Sequence, residues 1–397
     1  MNNTIKRAAL FNASCLALIV TSMTFAVRAK LEGVLETDFE LTSTEIGLAF
    51  APAFWGFTLA MIIGGPLVDY FGIKKIVWMA FFSHLVGIVL TIFSTEFYSF
   101  FLGTMFIGIG NGMVEAACNP LVASLYPENK TKMLNRFHVW FPGGIVVGSL
   151  IGYLMMDILS LPWQFLVAVL FVPLVLYGVL FMGKELPKTE RVAMGVSNKE
   201  MWKAVVSPLF LLMGFCMLLT ASTELGTNQR IEALLSGTGV SGILILAFVN
   251  GIMAIGRGLA GPVVKRLDTT GMLLFSAVFS CIGLIWLSNA SGPLVFAAAF
   301  VFAIGVTYFW PTMLSFVAER IPESGALGLS LMGGLGMFSV SIVLPVMGKF
   351  MDADSGASTL SYVAILPAVL IVIFFFLFLK FRGRKIERDM EPKKVLS

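Results

Sequence analysis

The chain has 397 residues, of which 58% are hydrophobic and 13% are charged. This composition leaves too few polar groups to cover a soluble surface, so it excludes a soluble protein and indicates one embedded in a lipid bilayer. The formal net charge of +4 is carried by the segments between apolar runs, which indicates a membrane topology and gives no sign of a nucleic-acid partner.

Apolar stretches of the roughly 20 residues that a helix needs to cross a bilayer recur along the whole chain. Hydropathy and turn residues predict twelve spans, near 8–34, 43–69, 75–94, 98–126, 135–157, 162–183, 205–230, 239–264, 271–289, 293–318, 326–350 and 359–381. Twelve is even, so both termini are predicted on one side. That side then holds every Lys and Arg except Arg28, Lys30, Arg230 and Lys349. The positive-inside rule therefore predicts cytoplasmic termini, and we expect a multi-pass protein of the cell inner membrane.

The longest polar interruption follows the sixth span and divides the chain nearly in half. The predicted organisation is an N-terminal six-helix bundle (1–183), a cytoplasmic linker (184–203) and a C-terminal six-helix bundle with a short basic cytoplasmic tail (204–397).

The two halves repeat one another in sequence. Corresponding pairs are Lys30-Leu31-Glu32 with Arg230-Ile231-Glu232, Gly65-Pro66-Leu67-Val68 with Gly261-Pro262-Val263-Val264, Asn119-Pro120 with Trp310-Pro311, and Pro127…Asp157 with Pro322…Asp352. Matches in the same order at nearly constant offset predict an all-α integral membrane fold of two pseudo-symmetric six-helix bundles. Such a duplication places a solute site near the bilayer midplane and predicts rocking of one bundle against the other.

Two charges in the first and seventh spans are candidates for that site. Arg28 and Glu224 lie at comparable depths, about 30 Å and 27 Å along their helices at 1.5 Å per residue. The hypothesis is that they pair when the far side closes, because unpaired charges in a membrane are costly. The alternative is that Arg28 extends to the outer interface.

Residues 65–75 read G-P-L-V-D-Y-F-G-I-K-K at the end of the second span. This segment resembles the signature G-x-L-a-D-r-x-G-r-k of the major facilitator superfamily. The resemblance implies the major facilitator fold and a cytoplasmic gate motif formed by Gly65, Asp69, Gly72, Lys74 and Lys75. Tyr70 and Ile73 depart from the basic residues of the family pattern, and ordinary loop charges are the alternative for Asp69.

The fourth span contains E-A-A-C-N-P from Glu115 to Pro120, which is similar to the E-T-A-A-N-P run of fucose permease-type sugar/proton symporters. The glycine-rich fifth span resembles theirs as well. Glu115 stands 12 residues before Pro127, about 18 Å from the helix end and near the membrane centre. A carboxylate at that depth is a candidate for proton coupling, the role that the resemblance implies, while helix packing is the alternative. Those symporters also carry a carboxylate in the first helix, a position to which Glu32 cannot be assigned.

Further polar and aromatic residues lie near the predicted seam. His138 is a candidate proton relay to Glu115, with an interfacial hydrogen-bonding role as the alternative. The remaining candidates for solute binding are Asn119, Asn228, Gln229, Tyr308 and Trp310.

These features together predict a secondary active transporter of a small sugar or polyol-like solute, working by alternating access with proton symport. An organic-anion carrier in which Arg28 binds the charge, an exporter of amphipathic compounds and a non-transporting membrane sensor are the alternatives. No catalytic constellation predicts an enzyme, and no cysteine or histidine spacing predicts a metal or cofactor. The expected partners are the solute, protons and the bilayer, and a monomer is expected.

Overall fold

The computed structural model describes residues 3–126, 133, 136–187 and 198–382. Within these ranges eleven helices are long and apolar enough to cross a membrane, and Gly242–Gly258 forms a shorter apolar helix. The described part of the chain contains no strand. The prediction of an all-α membrane protein with twelve crossings is therefore confirmed.

The first six crossings form the N-terminal half. Their bounds are α1, Asn3–Thr37; α2, Ser43–Phe71; α3, Ile73–Ile92; α4, Phe97–Leu125; α5, Trp140–Gly152, continued as a π-helix over Tyr153–Ile158; and α6, Trp163–Ala168 with Phe171–Phe181.

The second six crossings form the C-terminal half, after a short helix at Asn198–Val205. Their bounds are α7, Pro208–Ala221, continued by a π-helix at Ser222–Gly226 and helical turns at Thr227–Gln229 and Ile231–Leu234; α8, Gly242–Gly258; α9, Ala260–Leu287; α10, Leu294–Val306 with Phe309–Arg320; α11, Gly325–Ala353; and α12, Gly356–Val363 with Ile365–Phe381. The bundle boundaries at 183 and 204 remain predictions, since residues 188–197 lie outside the described ranges.

Corresponding turns follow the second crossing of each half. Gly72 separates α2 from α3 with φ 84° and ψ 152°, a left-handed conformation that favours glycine. In the other half the backbone becomes non-helical at Asp268, with φ 52° and ψ 178°, and the Asp268 side chain accepts a hydrogen bond from the Gly271 N–H at 2.8 Å. The residues of α9 before Asp268 therefore prolong α8, and the ninth crossing begins after this turn.

The outer surface of the bundle is apolar. Large side chains such as Phe82, Phe93 and Phe376 are exposed, whereas charged groups such as Glu32 and Arg230 are buried. This inversion of the soluble pattern is expected when lipid replaces water as the surrounding solvent.

The two halves meet along a seam between α2 and α11, α5 and α8, and α1 and α7. We call the side on which α1 begins and α12 ends the terminal side, and the side on which α1 ends the distal side. On the distal side α2 and α11 approach closely: a Cβ at Gly47 would lie 2.6 Å from the Leu344 carbonyl oxygen, and one at Gly348 would overlap the Ser43 carbonyl. Glycine thus allows backbone contact that closes the distal side of the seam.

Candidate functional site

Three of the predicted site residues form a hydrogen-bonded row between α4 and α5. Asn119 donates from Nδ2 to Glu115 Oε2 at 2.6 Å, and its Oδ1 lies 3.0 Å from His138 Nε2. Because an amide oxygen can only accept, His138 Nε2 carries the proton in this arrangement. Glu115 is 7% exposed, so the row links a buried carboxyl to an imidazole through one amide.

The sequence of α4 explains the positions of Glu115 and Asn119. Residues four apart share one helix face, so the two side chains lie one above the other. Pro120 follows inside the helix, and its missing N–H leaves the carbonyl of Ala116 without the usual helical donor. His138 lies close to the start of α5 and reaches Asn119 from the neighbouring helix.

A cavity of about 240 Å³ lies between α1 and α5 on the terminal side of this row. Arg136 and Trp140, which flank His138 in sequence, both line it. The full lining is Phe11, Asn12, Cys15, Leu16, Ile19, Arg136 and Trp140. Asn12 and Arg136 are exposed, and Arg136 stands two residues before His138.

Glu224 has a partner that the sequence analysis missed. It lies in the π-helical Ser222–Gly226 segment and accepts a hydrogen bond from Arg257 Nη2 at 3.1 Å. The hypothesis that Glu224 pairs with Arg28 is therefore wrong for this distal-closed arrangement. Arg257 was counted among the cytoplasmic charges, yet it stands 11 residues before the turn at Asp268, about 16 Å inside the helix end. A count of helical rise back from that turn would have placed Arg257 well inside the helix, at a depth where it could meet Glu224.

The C-terminal helices around this ion pair are tied together by backbone acceptors. Arg257 Nε donates to the Thr307 carbonyl at 3.0 Å, and the Tyr308 hydroxyl donates to the Gly256 carbonyl at 3.1 Å. Tyr308 thus holds α10 against α8. Trp310 is half-buried and packs against α11, where a Cβ at Gly336 would lie 2.7 Å from the Trp310 ring.

Arg28 is buried at the seam, and none of the carboxylates that the structure describes forms an ion pair with it. The guanidinium lies over the rings of Phe25 and Phe54, with its central carbon 4.7 Å and 5.2 Å from their centroids. Its Nε donates to Gln229 Oε1 of α7 at 3.0 Å, and Gln229 Nε2 donates to the Phe25 carbonyl at 3.0 Å. Arg28 is 3% exposed, so extension to the interface, the alternative explanation, is wrong as well.

The repeated segments at the ends of α1 and α7 form two ion pairs across the distal seam. Lys30 Nζ lies 2.9 Å from Glu232 Oε1 and also 2.9 Å from Asp157 Oδ2. Arg230 Nη1 lies 2.5 Å from Glu32 Oε1, and Arg230 Nη2 donates to the Ser43 carbonyl at 2.6 Å.

Asp352 completes the distal contacts. Its carboxylate accepts from the backbone N–H groups of Ser43 and Thr44 at 2.9 Å each, and it therefore caps the N-terminus of α2 from the opposite half. We call Lys30, Glu32, Asp157, Arg230, Glu232 and Asp352 together the distal lock. The sequence placed these residues in matching positions but gave no sign that they meet.

The remaining predicted site residues are Asn228 and the members of the gate motif. Asn228 is 2% exposed, and neither its Oδ1 nor its Nδ2 has a hydrogen-bond partner among the described residues. In the gate motif, Gly72 forms the turn between α2 and α3, Lys74 is exposed and the Lys75 ammonium lies 5.6 Å from the Phe71 ring centroid. Gly65 and the side chain of Asp69 lie outside the described side chains. Across the described ranges no group of three or more metal-ligand side chains comes together.

A family model described as Major Facilitator Superfamily matches residues 10–329. The chain is 23% identical over 278 residues to the uncharacterized MFS-type transporter YttB of Bacillus subtilis (strain 168), covering 66% of this chain and 68% of that protein. It is 28% identical over 147 residues to the cis,cis-muconate transport protein of Acinetobacter baylyi (strain ATCC 33305 / BD413 / ADP1), covering 36% of this chain and 35% of that one.

Solved structures share the fold over nearly the whole chain. The xylose transporter XylE from E. coli, in a partially occluded inward-open conformation, has a TM-score of 0.75 at 14% identity and covers 96% of this chain and 99% of its own. The transporter FucP, in the outward conformation, has a TM-score of 0.65 at 18% identity and covers 92% of this chain and 98% of its own. At such identities the likeness establishes the fold alone.

Proposed function

This chain belongs to the Major Facilitator Superfamily, and we propose on that premise that it moves a small sugar- or polyol-like solute together with protons by alternating access. The observation that carries the proposal is the row Glu115–Asn119–His138. It joins the one carboxyl of α4 to a titratable imidazole near a cavity on the terminal side.

Proton coupling requires a group that is protonated from one side of the membrane and deprotonated toward the other. Glu115 fits this requirement because it is buried at 7% exposure and its carboxylate accepts a hydrogen bond from the neutral amide of Asn119. His138 can take up a proton on the terminal side, and Asn119 holds the imidazole beside Glu115. Because a carboxamide does not readily pass a proton on, transfer between the two titratable groups goes through water. Protonation of Glu115 removes a buried charge and makes movement of the halves less costly.

The solute class rests on a second set of residues. Gln229, Asn228 and Trp310 supply amide groups and an indole face near the seam, which suit hydroxyl groups and sugar rings. The resemblance of α4 to the fucose permease type and the fold shared with a xylose transporter support the same class.

The orientation and assembly are part of the proposal. We take the terminal side as cytoplasmic because most Lys and Arg residues fall there, which makes the distal-closed arrangement an inward-facing one. The chain then functions as a monomer in a cell inner membrane, with the bundles at 1–183 and 204–397 joined by the linker at 184–203. Its gate motif at Gly65, Asp69, Gly72, Lys74 and Lys75 stands at the cytoplasmic end of α2.

Glu115→Gln tests the proposal in proteoliposomes. With xylose and fucose as probes, the variant should lose accumulation driven by a proton gradient but keep exchange of labelled for unlabelled solute. Glu185→Gln makes the same chemical change at an exposed site and should accumulate solute like the unmodified protein. Unchanged accumulation in Glu115→Gln, or a complete absence of proton movement with solute, would refute proton coupling through this row.

A further inference from the structure

Arg28 differs from the other buried or partly buried cations that the structure describes at the seam. Lys30, Arg230 and Arg257 each lie between 2.5 and 3.1 Å from a carboxylate. No carboxylate of the described residues lies within ion-pair distance of Arg28, although the residue is only 3% exposed. Its Nη1 also lacks a hydrogen-bond acceptor within the described part of the chain.

The surroundings of Arg28 hold its guanidinium in place but do not neutralise it. Phe25 and Phe54 lie against the planar group and restrict it through cation–π contact. Gln229 accepts a hydrogen bond from Nε, which fixes one edge of the guanidinium. The Nη1 edge is the part left for a further acceptor, and a carboxylate matches that edge because its two oxygens accept parallel N–H bonds from a guanidinium.

A second unpartnered group lies next to Gln229. Asn228 is buried, and both its amide oxygen and its amide nitrogen are without partners in the described structure. A buried amide in this condition is unusual. One donor and one acceptor side by side suit a hydroxyl group, which can accept and donate at once.

We propose that the solute carries a carboxylate next to hydroxyl groups, as sugar acids and hydroxycarboxylates do. Its carboxylate binds Arg28, and a hydroxyl binds Asn228. This inference rests on the proposed transport function and narrows its solute class.

The location of Arg28 gives solute binding a role in the transport cycle. Gln229 belongs to the half opposite Arg28, so parting of the distal seam breaks their hydrogen bond and turns the guanidinium toward the opening. Closing the seam around an anionic solute buries a neutralised arginine, whereas closing it empty buries an unpaired charge. The loaded carrier should therefore close more readily than the empty one.

Matched pairs of acid and neutral sugars test this inference by equilibrium binding. The purified full-length protein is titrated with glucuronate against glucose, galacturonate against galactose, and gluconate against sorbitol, and thermal unfolding is followed. We expect at least one acid to stabilise the protein at about tenfold lower concentration than its neutral partner, since a good ion pair is worth about a factor of ten in affinity.

Variants test whether the tighter binding of the acids depends on Arg28. Arg28→Gln should remove the advantage of the acid, and Arg28→Lys should keep part of it because lysine retains the charge without the fork. Asn228→Asp should weaken binding of the acid more than binding of its neutral partner, because the added charge repels only the carboxylate, and this provides a test even if Arg28→Gln does not fold. Arg382→Gln removes an exposed arginine and serves as the matched control.

Two results would overturn the inference: neutral sugars that bind at least as tightly as their acids, or acids that produce no shift at all. Binding that survives Arg28→Gln unchanged contradicts it as well. Because these titrations contain no proton gradient and leave Glu115 intact, they are independent of the Glu115→Gln experiment. Failure of one therefore does not imply failure of the other.

Discussion

Lys30 and Arg230, which hold matching positions in the two halves, each bind the carboxylate that follows the other in sequence. Lys30 pairs with Glu232 at 2.9 Å, and Arg230 pairs with Glu32 at 2.5 Å. A two-fold relation between two copies of one unit produces this exchange, because residue i of one copy meets residue j of the other in both directions. The closed distal side is therefore held by two equivalent ion pairs, one from each direction across the seam.

Removing the ion pair between Glu32 and Arg230 in the distal lock should destabilise the protein strongly. Arg230 is fully buried, so Glu32→Gln leaves an uncompensated buried charge at a cost of about 3–5 kcal/mol. The double variant Glu32→Gln/Arg230→Gln should recover most of this loss, which thermal unfolding would reveal. Glu36→Gln, one turn further along α1 and exposed, is the control. Equal losses in the single and double variants would contradict a paired lock.

Adding side-chain volume at Gly47 should prevent distal closure. A Cβ there meets the backbone of Leu344 and Pro345, neither of which can move without separating α2 from α11. Gly47→Ala should lower solute uptake by about tenfold or more while solute binding persists, since the cost of the overlap falls on the closed state alone. Cross-linking of cysteines introduced at Ser43 and Asp352 reports closure directly and should fall in the same variant.

A glycine without neighbours provides the comparison. Gly251 has open space around its missing side chain, so Gly251→Ala should transport normally. Equal uptake by the Gly47 and Gly251 variants would show that the approach of α2 to α11 does not limit transport.

Replacing His138 should impair proton-coupled transport selectively. His138→Gln keeps an N–H donor that can reach Asn119 but cannot exchange a proton, so accumulation driven by a proton gradient should fall by about tenfold or more. Solute exchange at equal pH on both sides should change little. The measurement is the ratio of accumulation to exchange in proteoliposomes, and a proportional fall in both would indicate a packing role for His138.

Double-mutant cycles should separate the observed partner of Glu224 from the expected one. Glu224→Gln and Arg257→Gln should be coupled by about 1 kcal/mol or more, because each single change leaves a buried charge without its partner. Glu224→Gln and Arg28→Gln should be nearly additive, within about 0.5 kcal/mol. Thermal unfolding of the three single and two double variants supplies both cycles, and stronger coupling of Glu224 to Arg28 than to Arg257 would reinstate the Arg28–Glu224 pair.

Sequence reasoning named all three residues of the polar row in the N-terminal half, with His138 as a relay to Glu115 and Asn119 as a separate candidate for solute binding. Glu115 and Asn119 are four residues apart on one helix, and His138 lies at the start of the next crossing, so helical periodicity and order along the chain could have grouped them. The partners of Glu224 and Arg28 could not be found in this way. The π-helical segment at Ser222–Gly226 changes the helical phase around Glu224, and no pattern in that segment signals the change.

By itself, the sequence determined the membrane environment, the twelve crossings and the duplication, because a chain in lipid must satisfy its backbone within helices of a length fixed by the bilayer. Only the tertiary structure decided which charges meet. Partners such as Lys30 and Glu232 stand about two hundred residues apart, and whether they touch depends on the rotation of each helix and on how closely glycines let the halves approach. Those distances are properties of the packed molecule, and they leave Arg28, alone among the buried cations described, without a carboxylate.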